Sequence, residues 1–300
     1  MARNKLRVAV VSDGFPIWPH HVAQDRGFFS SEGIEIALIV TGSSKDQIKA
    51  MEQGNFEIGI QLPDHIVRSV EHGSDLFAFM AATHAIDILL LGSPEVHLLT
   101  DLKGRSIAVD GARSGFALLL RRLLHGVGLS ESDYELVEYG GTRERLDALS
   151  KGSASAAFIN PPYDQKLLDR GFIRLTSTLE SFPDYPGAVA ASRRDWAQGN
   201  EELLRRFVRA YRLAFLWLVA PQNKEAALKI ACNSLPVSRE GATAAWSRLV
   251  MQPLPKLTVE GFEEVIDVVW AGDGFCLPKP DPEKFMDLNF QRQIERMVSR

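Results

Sequence analysis

Three short segments carry the residue types that a small-molecule site needs. Asp110-Gly111-Ala112-Arg113-Ser114-Gly115-Phe116 leads from an apolar strand-like run into an amphipathic one. A helix N-terminus leaves backbone N–H groups unsatisfied and carries partial positive charge. Arg113, Ser114 and Gly115 are therefore a candidate cradle for a carboxylate, sulfonate or phosphate, with Arg113 pointing to solvent as the alternative. Thr41-Gly42-Ser43-Ser44 stands in the same relation to the run before it. Ser43 or Ser44 caps the helix there, and Gly42, Ser43 and Ser44 are candidate ligand contacts. In Asp13-Gly14-Phe15-Pro16-Ile17-Trp18, Gly14 permits a tight turn, and Phe15 and Trp18 are placed to cover a flat ligand or merely to staple the first helix.

A second set is more dispersed. Gln61 follows a strand-like run, with Asp64 at the start of the next helical pattern. His84 follows Thr83 after another strand pattern, and Asn160 and Tyr163 bracket a pair of prolines after a fourth. Gln61, His84, Asn160 and Tyr163 are candidate ligand contacts; Asp13, Asp64 and His84 are the candidate acid/base groups if the chain is an enzyme. Gly140-Gly141-Thr142 repeats the glycine-hydroxyl device. The pair His20-His21 does not make a metal site, because adjacent helical side chains point about 100° apart. No G-x-S-x-G, Walker A or G-x-G-x-x-G pattern is present, and neither a metal nor a cofactor is implied.

These segments gain meaning from the elements around them. Strand patterns at Leu6–Ser12, Ile34–Val40, Phe56–Ile60, Leu76–Thr83 and Ile86–Gly92 alternate with helical ones at Pro16–Phe28, Lys45–Gln53 and Pro63–His72. A second series follows, with strands at Ser106–Asp110, Tyr134–Tyr139, Ala154–Asn160, Phe172–Thr176 and Gly187–Ser192 and helices at Ser114–His125, Thr142–Lys151 and Pro162–Leu168. From Glu201 the pattern turns helical: Glu201–Val219, Lys224–Cys232, Ser238–Val250, Val259–Trp270 and Phe290–Val298, with a proline-rich loop over Leu277–Pro282. Two βα series predict an α/β protein of two lobes, each a mixed, mostly parallel sheet flanked by helices. Ligands of such sheets sit beyond the strand carboxyl ends, which is where the candidate residues fall.

Composition narrows the functional classes. The 300 residues are 45% apolar and 24% charged, enough for sizeable cores. A net charge of -4 with both signs interspersed leaves no basic footprint for nucleic acid and no polybasic membrane patch. Cys232 and Cys276 are far apart and imply neither a disulfide framework nor a zinc site. No run is long enough to span a membrane, and the N-terminal run Leu6–Val11 lacks the form of a signal peptide. As written the chain reads as cytoplasmic; periplasmic location or a lipid anchor outside the membrane follows if a leader has been trimmed.

Four ordered motifs carry a family resemblance. Gly27–Ile36 reads GFFSSEGIEI, Ala50–Gly59 reads AMEQGNFEIG, Leu99–Val109 reads LTDLKGRSIAV and Ala148–Ala157 reads ALSKGSASAA. Each resembles a stretch of the solute-binding proteins of the nitrate/sulfonate/taurine and thiamine-pyrimidine-precursor families, with Ser155 where the family usually has an acid. Leu213–Lys229, with Pro221 and Glu225-Ala226, extends the likeness over nearly the whole chain. The resemblance implies a type II periplasmic-binding-protein fold, with one lobe at 1–90 plus 190–300 and the other at 91–189. It implies hinge strands near Gly92 and Gly187 that close on an anionic or aromatic solute, and an ABC permease as partner. A cytosolic enzyme on the same fold, acting on a small carboxylate or heteroaromatic, is the alternative.

Overall fold

The computed structural model describes residues 4–85, 87–161, 163–276 and 278–292. The expectations touching Ile86, Pro162 and Leu277, and the later part of the helix expected over Phe290–Val298, lie outside the described residues. In chain order come β1 (Asn4–Val10), α1 (Trp18–Asp25), α2 (Phe28–Ser31), β2 (Ile34–Val40), α3 (Ser44–Glu52), β3 (Ile58–Gln61), α4 (Pro63–Glu71) and β4 (Leu76–Ala81). Then follow β5 (Leu89–Gly92), β6 (Ser106–Val109), α5 (Gly115–Gly126), β7 (Glu135–Glu138), α6 (Thr142–Ser150), β8 (Ala156–Ile159), α7 (Tyr163–Leu168), β9 (Ile173–Ser177) and α8 (Thr178–Ser181). The last part holds β10 (Val189–Arg193), α9 (Arg194–Gln198), α10 (Glu201–Val219), α11 (Lys224–Ser234), α12 (Arg239–Leu249) and α13 (Val259–Asp273).

The chain divides into two units. The first is Met1–His84, Pro186–Val265 and Pro280–Arg300; the second is Ala85–Tyr185 and Ile266–Lys279. The sequence pattern kept 190–300 together, whereas here Ile266–Lys279 packs with the second unit. One reason is a missing side chain: a Cβ on Gly272 would sit 2.1 Å from Leu118 Cδ2, so only glycine lets α13 approach α5 this closely.

The first unit is built on a five-stranded sheet in the order β2-β1-β3-β10-β4. β1 pairs in parallel with β2 from Asn4↔Ile34 to Val10↔Val40, and with β3 from Val8↔Ile58 to Val10↔Ile60. β10 runs antiparallel to β3 and β4, so the sheet is mixed. The expected helix over Pro16–Phe28 is instead a short 3-10 turn, α1 and α2, because Gly27 at φ 76° breaks the helical path. On α10, Leu204, Phe207, Val208, Tyr211, Ala214, Phe215 and Leu218 recur at helical spacing and are buried. Phe207 stacks on Phe29 at 5.6 Å and meets Phe79 edge-on at 6.3 Å between ring centroids.

The second unit repeats the plan with the order β7-β6-β8-β5-β9. β6 is parallel to β7 and β8, and β5 is antiparallel to β8 and β9. Leu90, Ile107 and Phe158 join one core cluster, while Leu89, Leu91, Ala108 and Ala157 join another. Successive strand residues point to opposite faces, so both faces of this sheet are covered. That explains why its central strands β5, β6 and β8 read as apolar runs rather than alternating ones. No helix among the described residues is long and apolar enough to cross a membrane.

Two expectations follow from these cores. A Cβ on Gly59 of β3 would lie 2.1 Å from Met51 Sδ and 3.0 Å from Gln47 Nε2 on α3. Gly59→Ala should therefore overpack the β3–α3 contact and cost about 1–3 kcal/mol in urea unfolding; an unchanged midpoint would mean that Met51 repacks freely. His20 is buried beside Phe29, with its Nδ1 unpartnered among the described residues, and burial followed by repulsion from His21 pushes its pKa down to about 3. Above the unfolded value of about 6.5 the ring is neutral in both states. Below it, the unfolded chain takes up a proton that the folded chain refuses until about 3, so stability falls by up to about 1.4 kcal/mol per pH unit through that window. His20→Leu should flatten the loss of stability between pH 7 and pH 5 by about 2 kcal/mol; equal losses in variant and parent would place the titration elsewhere.

Candidate functional site

Because β1, β2 and β3 are parallel and in register, their carboxyl ends lie side by side at one edge of the first sheet. Ser12-Asp13, Thr41–Ser44 and Gln61 leave from that edge, and Thr83, His84 and Ala188 meet it from β4 and β10. One fully buried amide joins three of these strands. Gln47 on α3 donates through Nε2 to the carbonyls of Ala9 (3.4 Å) and Ile60 (3.2 Å), and its Oε1 accepts from Thr41 Oγ1 at 3.2 Å. Ser43 caps α3, its Oγ accepting from Asp46 N–H at 3.2 Å, and Gly42 supplies the left-handed turn at φ 72°. Ser44 is the first residue of α3.

Asp13 Oδ1 lies 3.2 Å from His21 Nε2. Gly14 is extended at φ -159°, so the expected glycine turn does not occur there; the chain bends through the 3-10 turn Phe15–Ile17. Phe15 packs on the first core beside Trp18, with ring centroids 5.7 Å apart. Trp18 itself is 1% exposed, and its Nε1–H donates to Ala227 O at 3.2 Å. The expected ligand-covering role of Trp18 is thus corrected: the ring belongs to the core, and its polar atom is already satisfied. Gln61 is 4% exposed, and its Oε1 has no partner among the described residues.

The three candidate acid/base groups take separate partners. Asp13 holds His21, while Asp64 is fully buried on α4 and bonded to Arg68 one turn on. His84 accepts Gly187 N–H on its backbone carbonyl at 3.1 Å, next to Thr83, whose Oγ1 accepts from Ala188 N–H at 2.8 Å. Asp64, enclosed and ion-paired, has no open face from which to exchange a proton.

The second unit presents the same kind of edge at the ends of β6, β7 and β8. Ser114 caps α5 by accepting from Ala117 N–H at 3.1 Å, and its hydroxyl donates to Asp110 Oδ1. Gly115 is the buried first residue of α5. Ala112 N–H donates to Glu138 Oε1 at 2.6 Å. The expected anion cradle is therefore already furnished with two carboxylates, Asp110 and Glu138. Arg113 is 74% exposed and pairs with Asp273 at 3.2 Å, so its expected place as the leading anion contact gives way to a surface ion pair. Asn160 follows β8 with its Oδ1 buried and unpartnered among the described residues. Tyr163 opens α7, its hydroxyl 3.4 Å from Arg143 and its ring 5.3 Å from Lys166 Nζ.

Sequence reasoning passed over Arg145. It is buried on α6, donating through Nε to Phe158 O (3.1 Å), through Nη1 to Gly140 O (2.6 Å) and through Nη2 to Thr142 Oγ1 (3.3 Å). Desolvation lowers its pKa, with Asp110 as the largest opposing charge. Arg145 is to the second unit what Gln47 is to the first. Each sits on the helix after the edge strand, with a left-handed glycine five residues before it and another seven after: Gly42 and Gly54 around Gln47, Gly140 and Gly152 around Arg145. That common spacing was the signal available in the sequence. Among the described residues no three His, Cys, Asp or Glu side chains gather as a metal site would require.

Comparison with known proteins adds lineage to this geometry. A formylaminopyrimidine-binding protein of Halalkalibacterium halodurans is 22% identical over 302 aligned positions, covering 94% of this chain and 90% of the relative. A 4-amino-5-hydroxymethyl-2-methylpyrimidine phosphate synthase of Schizosaccharomyces pombe is 27% identical over 150 residues, covering 47% of this chain. The chain spans less than half the length of the first curated relatives it matches, at 44% and 41%. Among solved structures, the periplasmic aliphatic sulphonate binding protein SsuA of Escherichia coli superposes with a TM-score of 0.78 at 16% identity, over 94% of this chain and 96% of that one; the likeness is one of fold. The family model described as NMT1/THI5 like matches residues 16–225, and with more than two thirds of its length inside that match the chain belongs to the NMT1/THI5 like family.

Proposed function

We propose that this protein is a solute-binding component of an ABC import system and that its ligand is a small heterocycle bearing N–H donors, of the aminopyrimidine kind. The observation that carries the reading is the balance of donors and acceptors at the strand ends. In the second unit the guanidinium groups at the strand ends have partners: Arg113 pairs with Asp273, Arg143 donates to the Tyr163 hydroxyl, and Arg145 donates to two carbonyls and a hydroxyl. In the first unit, taken by itself, what remains on offer at the strand ends is acceptor in character, namely Asp13 and Gln61 Oε1, the latter buried and without a partner among the described residues. A sulfonate or nitrate needs donors and positive charge; an amino-substituted ring needs acceptors. A relative that aligns over 94% of this chain, by name a formylaminopyrimidine-binding protein, supports the same class. Transport would pair the chain with a permease.

The test is calorimetric titration with formylaminopyrimidine, ethanesulfonate and nitrate. Only the pyrimidine should bind, and Asp13→Asn should weaken it by about ten-fold or more, the worth of one hydrogen bond to a charged group. Tighter binding of ethanesulfonate would overturn the ligand class. Chromatography of the incubated pyrimidine decides between receptor and enzyme: recovered unchanged it supports a receptor, and converted it supports the synthase-like reading that the Schizosaccharomyces pombe relative favours.

A further inference from the structure

We infer that His21 is a positioning residue, whose Nε2–H holds Asp13 Oδ1 so that Asp13 Oδ2 is presented to an N–H donor of the ligand. The inference rests on the aminopyrimidine reading above and names the pair that would give it selectivity. Asp13 lies in the bend between β1 and the 3-10 turn, outside any regular hydrogen-bond ladder. Its side chain is 37% exposed, so without a tether the carboxylate would sample several rotamers. The tether comes from α1, whose azimuth is set by the residue before it. His20 is locked in the core against Phe29, and about 100° of helical turn then carries His21 out of the core and onto Asp13 at 3.2 Å. The His21 ring is itself largely buried, with 15% of its side chain exposed, so the bond is shielded from competing water.

Asp13 has no other hydrogen-bond partner among the described residues, which leaves its second oxygen available. The neighbouring strand end adds Gln61, whose Oε1 is buried and unpartnered among the described residues. Two acceptors beyond the neighbouring strands β1 and β3 are the kind of partner that the two N–H bonds of an exocyclic amino group need. A carboxylate held by one oxygen keeps its other oxygen in place before the ligand arrives, so less ordering entropy is lost on binding.

Titrations with formylaminopyrimidine and with the same ring lacking its amino group test this. The parent protein should prefer the amino-bearing ring. His21→Phe and His21→Leu should each lose about ten-fold in affinity for it, and most of the preference, at an unchanged melting temperature. His21→Gln, which still offers an N–H, should restore most of both. Asp13→Asn should match the apolar variants, and the double variant should be no worse than either single one. Unaltered preference in the apolar variants, with the parent still binding, would overturn the positioning role and leave the proposed function standing. Failure of both apolar variants to fold would assign His21 to the scaffold and likewise overturn the inference. Failure of the parent to bind either ring would overturn both readings together.

Discussion

A single buried amide organises the candidate site of the first unit. Gln47 has no access to solvent, so its N–H and C=O groups must find partners inside. It finds them at the ends of three strands: the carbonyls of Ala9 and Ile60 and the hydroxyl of Thr41. Buried and fully used, such a group fixes registry in a way that apolar packing cannot, because a shift of one residue would strand a desolvated polar atom. Gly59 makes the arrangement possible by keeping β3 bare where Met51 and Gln47 press against it.

The second unit solves the same problem with a charge. Arg145 grips Phe158, Gly140 and Thr142 from the equivalent helix, between glycines of the same spacing. A guanidinium offers five donors where an amide offers two, so it can tie more of the adjoining loop. Its burial is tolerated because carbonyl oxygens take its protons and Asp110 opposes its charge. In each unit the clamp holds the strand ends, so the residues that project beyond them do not have to.

Much of the architecture was legible in the residues alone. The alternation of short apolar runs with amphipathic ones identified two α/β series, and α10 falls over the same residues that its spacing predicted, Glu201–Val219. Ser43 and Ser114 were readable as helix caps because capping is decided within one turn of chain. The strand carboxyl ends followed from parallel order.

The direction of individual side chains was a different matter. Trp18 and Arg113 looked equally suited to a ligand from their local setting. One is withdrawn into the core by a carbonyl 209 residues away, at Ala227, and the other is taken by a carboxylate 160 residues away, at Asp273. The adjacent pair His20 and His21 shows the limit most sharply: their types and spacing establish that they diverge, but only the packing of Phe29 decides which one is buried. The sequence by itself determined the elements, their caps and the strand ends at which the candidate residues gather, because those depend on neighbours a few residues apart. Tertiary structure alone decided which polar groups at that edge are spent on the fold and which are left without a partner among the described residues, because desolvation and pairing depend on atoms brought together from distant parts of the chain.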